Sequence, residues 1–180
     1  MDFHAEVKYI YDDNYRWLLF IEAKHIAMVT LLISLIALFN DKDGLVYFDD
    51  VITRCLLMVL WGISLFLSLC SFLPWLNRSK FLLKRCKKQS RKMTVNGFFY
   101  NSIFNMAMEN SDIGFLNKYY DYLFENYCAG DKMLIKSNKD IINQIIDISK
   151  ITTIKCYLFE LSIKITLLTV LLILGIIIIA

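Results

Sequence analysis

The sequence predicts an all-α integral membrane protein: three transmembrane helices, with a cytoplasmic helical domain inserted between the second and the third. Apolar residues make up 57% of the 180 residues, above the roughly 45–50% of a typical soluble domain. They collect in three long segments, and the last, residues 157–180, carries no charge after Lys164. Such a segment would leave a large apolar face in water, so a bilayer is its natural solvent. With one proline and six glycines, few helix breaks are available.

Residues 1–22 are predicted to form a cytoplasmic amphipathic segment at the membrane surface, because they mix charges with Tyr and Trp side chains, which favour that interface. A transmembrane hairpin follows over 23–76, with spans at about 23–39 and 51–76 and a short acidic loop between them. Acidic residues among the first 24 are the wrong flank for a cleaved signal peptide, so the first span is expected to stay attached.

Residues 77–155 are predicted to form the cytoplasmic helical domain. It opens with a basic run, 78–92, that has eight Lys or Arg residues and no acidic one. Two helices fit over about 98–108 and 112–127. No glycine or proline separates residue 132 from the third transmembrane helix, 156–180, so one continuous helix is expected to pass from the domain into the membrane.

The basic run also predicts orientation, since Lys and Arg accumulate on the cytoplasmic side of a membrane. The loop between the first two spans is acidic, whereas the segment between the second and third carries most of the Lys and Arg residues. The N-terminus and residues 77–155 are therefore expected to be cytoplasmic. The basic run acts as the anchor for this orientation, with a phosphate-binding patch as the alternative interpretation.

Little in the sequence suggests catalysis. The two histidines, His4 and His25, lie near the N-terminus, and no nucleophile, metal or phosphate-loop motif accompanies them. The five cysteines lack metal spacing and are interpreted as small hydrophobic residues of a protein in a reducing compartment. No enzyme activity, catalytic residue, metal, cofactor or nucleic-acid partner is expected.

Four ionisable residues flank the spans: Glu22, Lys24, Glu160 and Lys164. Charges are costly in lipid, so these side chains either reach for the head groups or pair with one another. Glu160 and Lys164 are four residues apart on one helix face, in the favourable order. The alternative is a pair between helices, in which Glu22 or Lys24 meets Glu160 or Lys164 at the cytoplasmic rim.

Four stretches of the chain carry a family resemblance: 16–24 (RWLLFIEAK), 73–74 (LP), 96–103 (NGFFYNSI) and 140–157 (DIINQIIDISKITTIKCY). Together with the order of the spans, they resemble the transmembrane effectors of Pycsar, the cyclic-pyrimidine anti-phage system of bacteria. The resemblance covers nearly the whole chain. His25 departs from it, because it stands where the family has a small residue.

The resemblance implies an antiviral defence effector of the bacterial inner membrane. A partner pyrimidine nucleotide cyclase would make cyclic CMP or cyclic UMP after infection, and the effector would respond by impairing membrane integrity, so that infection is abortive. To shift the ratio of two conformational states from 1:99 to 99:1, a ligand must bind one state more tightly by about 5.5 kcal/mol. This is a large difference in binding free energy for one small anion. A homo-oligomer in the lipid bilayer is therefore expected.

A cyclic mononucleotide needs cations for its phosphate, an aromatic ring for its base and amides for the base edge. The segment 96–155 supplies all three residue types, although ordinary core packing is the favoured explanation for most of its aromatic residues. The predicted ligand-binding residues are Asn96, Phe98, Tyr100, Asn138, Gln144 and Lys155.

Two other functions are compatible with the sequence. The first is a non-gated, membrane-anchored scaffold or interaction protein whose spans serve only as an anchor. The second, a small transporter, is less favoured because the spans lack mid-membrane charges and helix breaks.

Overall fold

The structure is a computed structural model, and it describes residues 3–40, 51–73, 82, 85–86, 102–104, 117–127 and 137–179. Within these ranges the chain is helical and contains no strand, which confirms the all-α prediction. The helices are α1 (Phe3–Asn40), α2 (Val51–Cys70), α3 (Asn117–Tyr127) and α4 (Lys139–Ile179). Among the described residues, three stretches are long and apolar enough to cross a membrane: Phe3–Leu38, Ile52–Cys70 and Lys139–Ile176.

Helix α1 is a single element of 38 residues. The sequence pattern divides it into a polar lead-in and a first span, but neither glycine nor proline occurs between residues 3 and 40. Nothing in the local chemistry therefore ends the helix where its composition changes. The lead-in and the first span are one continuous helix.

Helix α2 ends in a tight turn. The backbone N–H groups of Ser71, Phe72 and Leu73 each donate to a carbonyl oxygen three residues earlier, at 3.3, 3.1 and 3.0 Å. Bonds of this kind satisfy the last carbonyl groups of a helix. Pro74 follows in the sequence, and a proline disfavours helical geometry in the residue before it. The end of the predicted span, 74–76, lies outside the described residues.

Helix α4 has 41 residues and begins where the N–H of Ile142 donates to the carbonyl oxygen of Asn138, at 3.0 Å. The predicted start at residue 132 lies outside the described residues, as does most of the basic run 78–92. Of the two helices predicted between them, 102–104 and 117–127 are described, and both stretches are helical.

The chain forms two compact units. Unit 1 comprises Met1–Ile21 and Asn77–Ile154, and unit 2 comprises Glu22–Leu76 and Lys155–Ala180. The core of unit 1 consists of apolar residues at helical spacing from α1, α3 and α4, together with Ile103. These buried residues are Phe3, Val7, Ile10, Ile103, Tyr119, Leu123, Ile142, Ile145 and Ile146. The apolar face of the N-terminal part of α1 is thus buried within unit 1.

Unit 2 has its own core, where α1, α2 and α4 pack together. Its buried members are Met28, Leu32, Leu57, Trp61 and Ile173. The outer face of this unit is also apolar, with exposed fractions of 65% for Phe66 and 64% for Leu171. Helices that are apolar on both the inner and the outer face are suited to a hydrocarbon environment rather than to water.

Candidate functional site

A partly buried ion pair joins α1 to α4 within unit 2. The ammonium group of Lys155 on α4 bonds to the carboxylate of Glu22 on α1. The Lys155 side chain is only 9% exposed, and that of Glu22 is 34% exposed. A charge so far removed from water as the Lys155 ammonium is stable only with a partner, so Lys155 depends on Glu22 more than Glu22 depends on Lys155.

His25 lies one turn after Glu22 on α1 and is fully buried. Its Nε2 donates to the backbone carbonyl oxygen of Lys155 at 3.0 Å, because a carbonyl can only accept. In a neutral ring the Nδ1 atom is then an acceptor, and within the described residues it has no hydrogen-bond partner. Two side chains of α1, Glu22 and His25, therefore hold both the side chain and the backbone of Lys155.

Two phenylalanines enclose this contact. Phe72, in the turn after α2, and Phe159, on α4, both meet the His25 ring nearly edge-on, with centroid distances of 6.0 and 5.4 Å. The Lys155 ammonium nitrogen lies 5.7 Å from the Phe72 ring centroid, within the range of a cation–π contact. We refer to Glu22, His25, Phe72, Lys155 and Phe159 as the rim cluster.

A second polar feature, the hydroxyl seam, joins α2 to α4 and comprises Ser64, Ser68, Ser162 and Thr166. The Oγ atom of Ser162 lies 2.7 Å from that of Ser64 and 2.8 Å from that of Ser68. Thr166 Oγ1 lies 2.8 Å from Ser64 Oγ, and all four side chains are buried. Small hydroxyl residues let helices approach closely and hydrogen-bond in lipid, so the seam fixes α2 against α4.

The rim cluster and the hydroxyl seam each connect α4 to another membrane-length helix through polar bonds. In the described part of the chain, no group of three or more His, Cys, Asp or Glu side chains could hold a metal ion. The arrangement can hold, and on disruption release, the packing of α4 against α1 and α2.

Three of the six predicted ligand-binding residues, Asn138, Gln144 and Lys155, are among the described residues. Asn138 lies at the start of α4, where its Oδ1 is 2.6 Å from His4 Nδ1. Gln144 is exposed, and Lys155 is engaged by Glu22. The other three, Asn96, Phe98 and Tyr100, lie outside the described residues.

The rim residues form one pair that the sequence indicates, Glu160 with Lys164, and one that it does not. Glu22 does bond across helices, but its partner is Lys155 rather than Lys164. Lys164 and Glu160 instead face each other on α4 at 3.8 Å, with side chains 70% and 51% exposed. The Lys24 ammonium nitrogen lies 5.8 Å from the centroid of the Phe159 ring.

Sequence reasoning missed His25, Phe72 and Phe159, as well as the hydroxyl seam. The seam does leave a pattern, because Ser64 and Ser68 are four residues apart on α2, as are Ser162 and Thr166 on α4. This spacing puts each pair on one helix face. No local pattern distinguishes Phe72 or Phe159 from the many other apolar residues of the spans.

Three membrane-length apolar helices, held together by buried polar contacts, define a helical membrane protein. The family model described as the Pycsar effector protein domain matches residues 6–180. The chain therefore belongs to the Pycsar effector family, and the family implies an anti-phage defence effector. Searches of the curated proteins and of the solved structures each find no match.

Proposed function

We propose that this protein responds to cyclic CMP or cyclic UMP, made by a partner pyrimidine nucleotide cyclase, and then impairs the integrity of the bacterial inner membrane. The protein itself catalyses no reaction; it converts binding of the nucleotide into a rearrangement of its spans. One observation carries this proposal besides the family: α1 and α4 each run without a break through residues of both compact units. A change in the packing of unit 1 therefore acts on helices that are themselves membrane spans.

Self-association is the second part of the proposal. A stripe of small residues runs along α1 at alternating spacings of four and three: Ala23, Ala27, Thr30, Ser34 and Ala37. All five side chains are exposed. The hydroxyl groups of Thr30 and Ser34 donate to carbonyl oxygens of α1 itself, at 3.0 and 2.9 Å. Small residues at this spacing let membrane helices pack closely, which favours contact between copies through α1.

Oligomerisation also eases the energetic requirement of a switch. A shift from 1:99 to 99:1 needs about 5.5 kcal/mol of differential binding. When several copies switch together, each bound nucleotide has to supply only its share of this free energy. A single small anion with a few charge-assisted hydrogen bonds can meet that share.

The experiment is a leakage assay with the full-length protein in liposomes loaded with a self-quenching dye. We expect release on addition of cyclic CMP or cyclic UMP, but not with cyclic AMP, and a steep dependence on protein density. Ala27→Leu, within the small-residue stripe, should reduce both release and cross-linking between copies. Cys55→Leu is the matched control, since it enlarges an exposed position on α2.

The non-gated scaffold predicts the opposite outcome. An anchor would give no release with any nucleotide, whatever the density of the protein. Equal release by Ala27→Leu and wild-type protein would contradict a role for the α1 stripe while leaving the nucleotide response intact.

The proposed orientation has a test of its own. Trypsin added to inverted inner-membrane vesicles should cut within the basic run 78–92, where Lys and Arg are dense. Trypsin added to intact spheroplasts should leave the same run uncut. Cleavage only in spheroplasts would place 77–155 outside the cytoplasm and contradict the proposal.

A further inference from the structure

An open cavity of about 330 Å³ lies beside α1 within unit 1. Its described lining consists of Asp13, Arg16, Trp17 and Phe20. These positions follow the spacing of one helix face. The cavity is open to its surroundings rather than enclosed. Of the predicted ligand-binding residues that the structure describes, Asn138, Gln144 and Lys155, none lines it.

The cavity brings together two opposite charges that do not bond to each other. Asp13 and Arg16 lie one turn apart on α1, where an ion pair would be ordinary. Neither makes an ion pair or a hydrogen bond within the described part of the chain. Asp13 is half-buried and Arg16 is exposed. Both groups are therefore available to a ligand that carries an anion and a hydrogen-bond donor.

The apolar part of the lining is aromatic. The rings of Trp17 and Phe20 are nearly perpendicular, with an interplanar angle of 83° and centroids 5.8 Å apart. They remain 36% and 50% exposed, so part of each ring is accessible to a ligand. Aromatic faces of this kind can stack on a nucleobase or attract an ammonium group.

We propose that this cavity binds a phosphodiester that carries an amino group. The guanidinium of Arg16 would take two phosphate oxygens, since its planar fork matches that geometry. The carboxylate of Asp13 would accept from the amino group, and the two aromatic rings would cover the rest of the ligand.

This chemistry has two sources. Cyclic CMP is a cyclic phosphodiester with an exocyclic amino group, and binding it would deepen the proposed function, on which this part of the inference rests. The head group of phosphatidylethanolamine is also a phosphodiester with an amine. It lies within reach because the apolar run of α1 begins shortly after Phe20. Each source has a close analogue without the amino group: cyclic UMP and phosphatidylglycerol.

Native mass spectrometry of the full-length protein, purified in detergent and stripped of lipid, tests the proposal. One arm titrates cyclic CMP against cyclic UMP, and the other titrates short-chain phosphatidylethanolamine against phosphatidylglycerol. We expect one ligand per chain in at least one arm, with the amino-bearing member bound at least tenfold more tightly. Arg16→Gln should weaken that binding roughly tenfold or more, and Arg16→Lys less, because lysine keeps the charge but loses the fork. Asp13→Asn should abolish the preference for the amino group.

The matched controls are Lys8→Gln and Asp12→Asn, exposed charges on α1 that do not line the cavity. They make the same charge changes and should leave both affinities unchanged. If Arg16→Gln binds as tightly as wild-type protein, or if the control variants lose as much affinity as Arg16→Gln, the proposal is overturned. The same holds if neither amino-bearing ligand binds. Circular dichroism verifies that each variant keeps its helix content.

The liposome leakage assay separates this inference from the proposed function. Leakage that cyclic CMP triggers equally in Arg16→Gln and wild-type protein would overturn the cavity as the nucleotide sensor and leave the proposed function standing. No leakage in wild-type protein, together with Arg16-dependent binding of phosphatidylethanolamine, would contradict the proposed function while supporting the cavity as a lipid site.

Discussion

Removing one partner of the Glu22–Lys155 ion pair should destabilise the protein far more than removing one partner of the Glu160–Lys164 pair. Both pairs join the same residue types and both involve α4. They differ in burial: the Lys155 side chain is 9% exposed, whereas Lys164 is 70% exposed. The comparison therefore isolates the effect of burial on an ion pair.

The expected magnitudes follow from that difference. Breaking a fully buried pair costs about 3–5 kcal/mol, because the remaining charge is stranded. The Glu22 side chain is 34% exposed. Solvent screening therefore reduces the expected cost of breaking this pair to roughly 1–3 kcal/mol. For the exposed pair on α4 we expect at most about 0.5 kcal/mol.

The direction of the asymmetry is also predicted. Glu22→Leu leaves the less exposed charge, the Lys155 ammonium, without its counter-charge. Lys155→Met leaves the carboxylate of Glu22, which water can still reach. Glu22→Leu should therefore be the more destabilising of the two single substitutions.

The assay is a double-mutant cycle on the free energy of unfolding, measured by titration with a denaturing detergent in mixed micelles. The cycle comprises Glu22→Leu, Lys155→Met and the double variant, with a parallel cycle at Glu160 and Lys164. We expect a coupling energy of about 1–2 kcal/mol for the first cycle. A coupling below about 0.5 kcal/mol, or one no larger than that of the exposed pair, would refute the reasoning.

Three further outcomes are expected from the same unfolding measurements. Ser162→Ala should destabilise by roughly 0.5–1.5 kcal/mol because it opens the hydroxyl seam, whereas Ser34→Ala, an exposed hydroxyl bonded to its own helix, should change little; equal effects would contradict the seam. Gly62→Ala should stabilise by up to about 1 kcal/mol, since a Cβ there meets nothing within 4 Å; destabilisation would show that this helix face is already covered. Burial and the carboxylate of Asp140 raise the pKa of the Tyr120 phenol. The contribution of Tyr120 to the free energy of unfolding is therefore fully present below the ordinary pKa of about 10, and it is lost as pH rises through the higher pKa of the folded state. Tyr120→Phe should flatten that alkaline loss of stability, and an unchanged pH profile would contradict it.

The sequence predicts a helical membrane protein because the preference of an apolar segment for lipid depends on that segment alone. The last span has no charge after Lys164, and no soluble arrangement would bury it. The continuity of α4 through residues 140–157 is predicted for a similar reason, since neither glycine nor proline occurs there. The same rule applied to α1 would have joined its polar start to its first span, but the change in composition near Glu22 suggested a boundary that the backbone does not have.

The candidate site is predicted less well because it depends on pairing between distant segments. Lys155 stands out in the sequence as a charge near a span, but nothing local indicates that its partner is Glu22 rather than a nucleotide phosphate. In the sequence, His25 looks like an isolated histidine. In the structure, the backbone carbonyl oxygen of Lys155 lies 3.0 Å from its Nε2 atom. Asn138 and Gln144 share polar chemistry, yet one is buried against His4 and the other is exposed. Residue type alone does not determine these environments.

Because α4 is uninterrupted, the number of residues between two of its positions determines how those positions are oriented relative to each other. Each added or deleted residue would turn everything beyond it by about 100° and shift it by about 1.5 Å. A single insertion after Phe159 would thus turn Ser162 relative to Lys155, so that α4 could not keep both the Glu22 and the Ser64 contact, while every side chain stays chemically intact. The relative rotation of these residues around the helix axis therefore matters for the contacts as much as their chemical identities do.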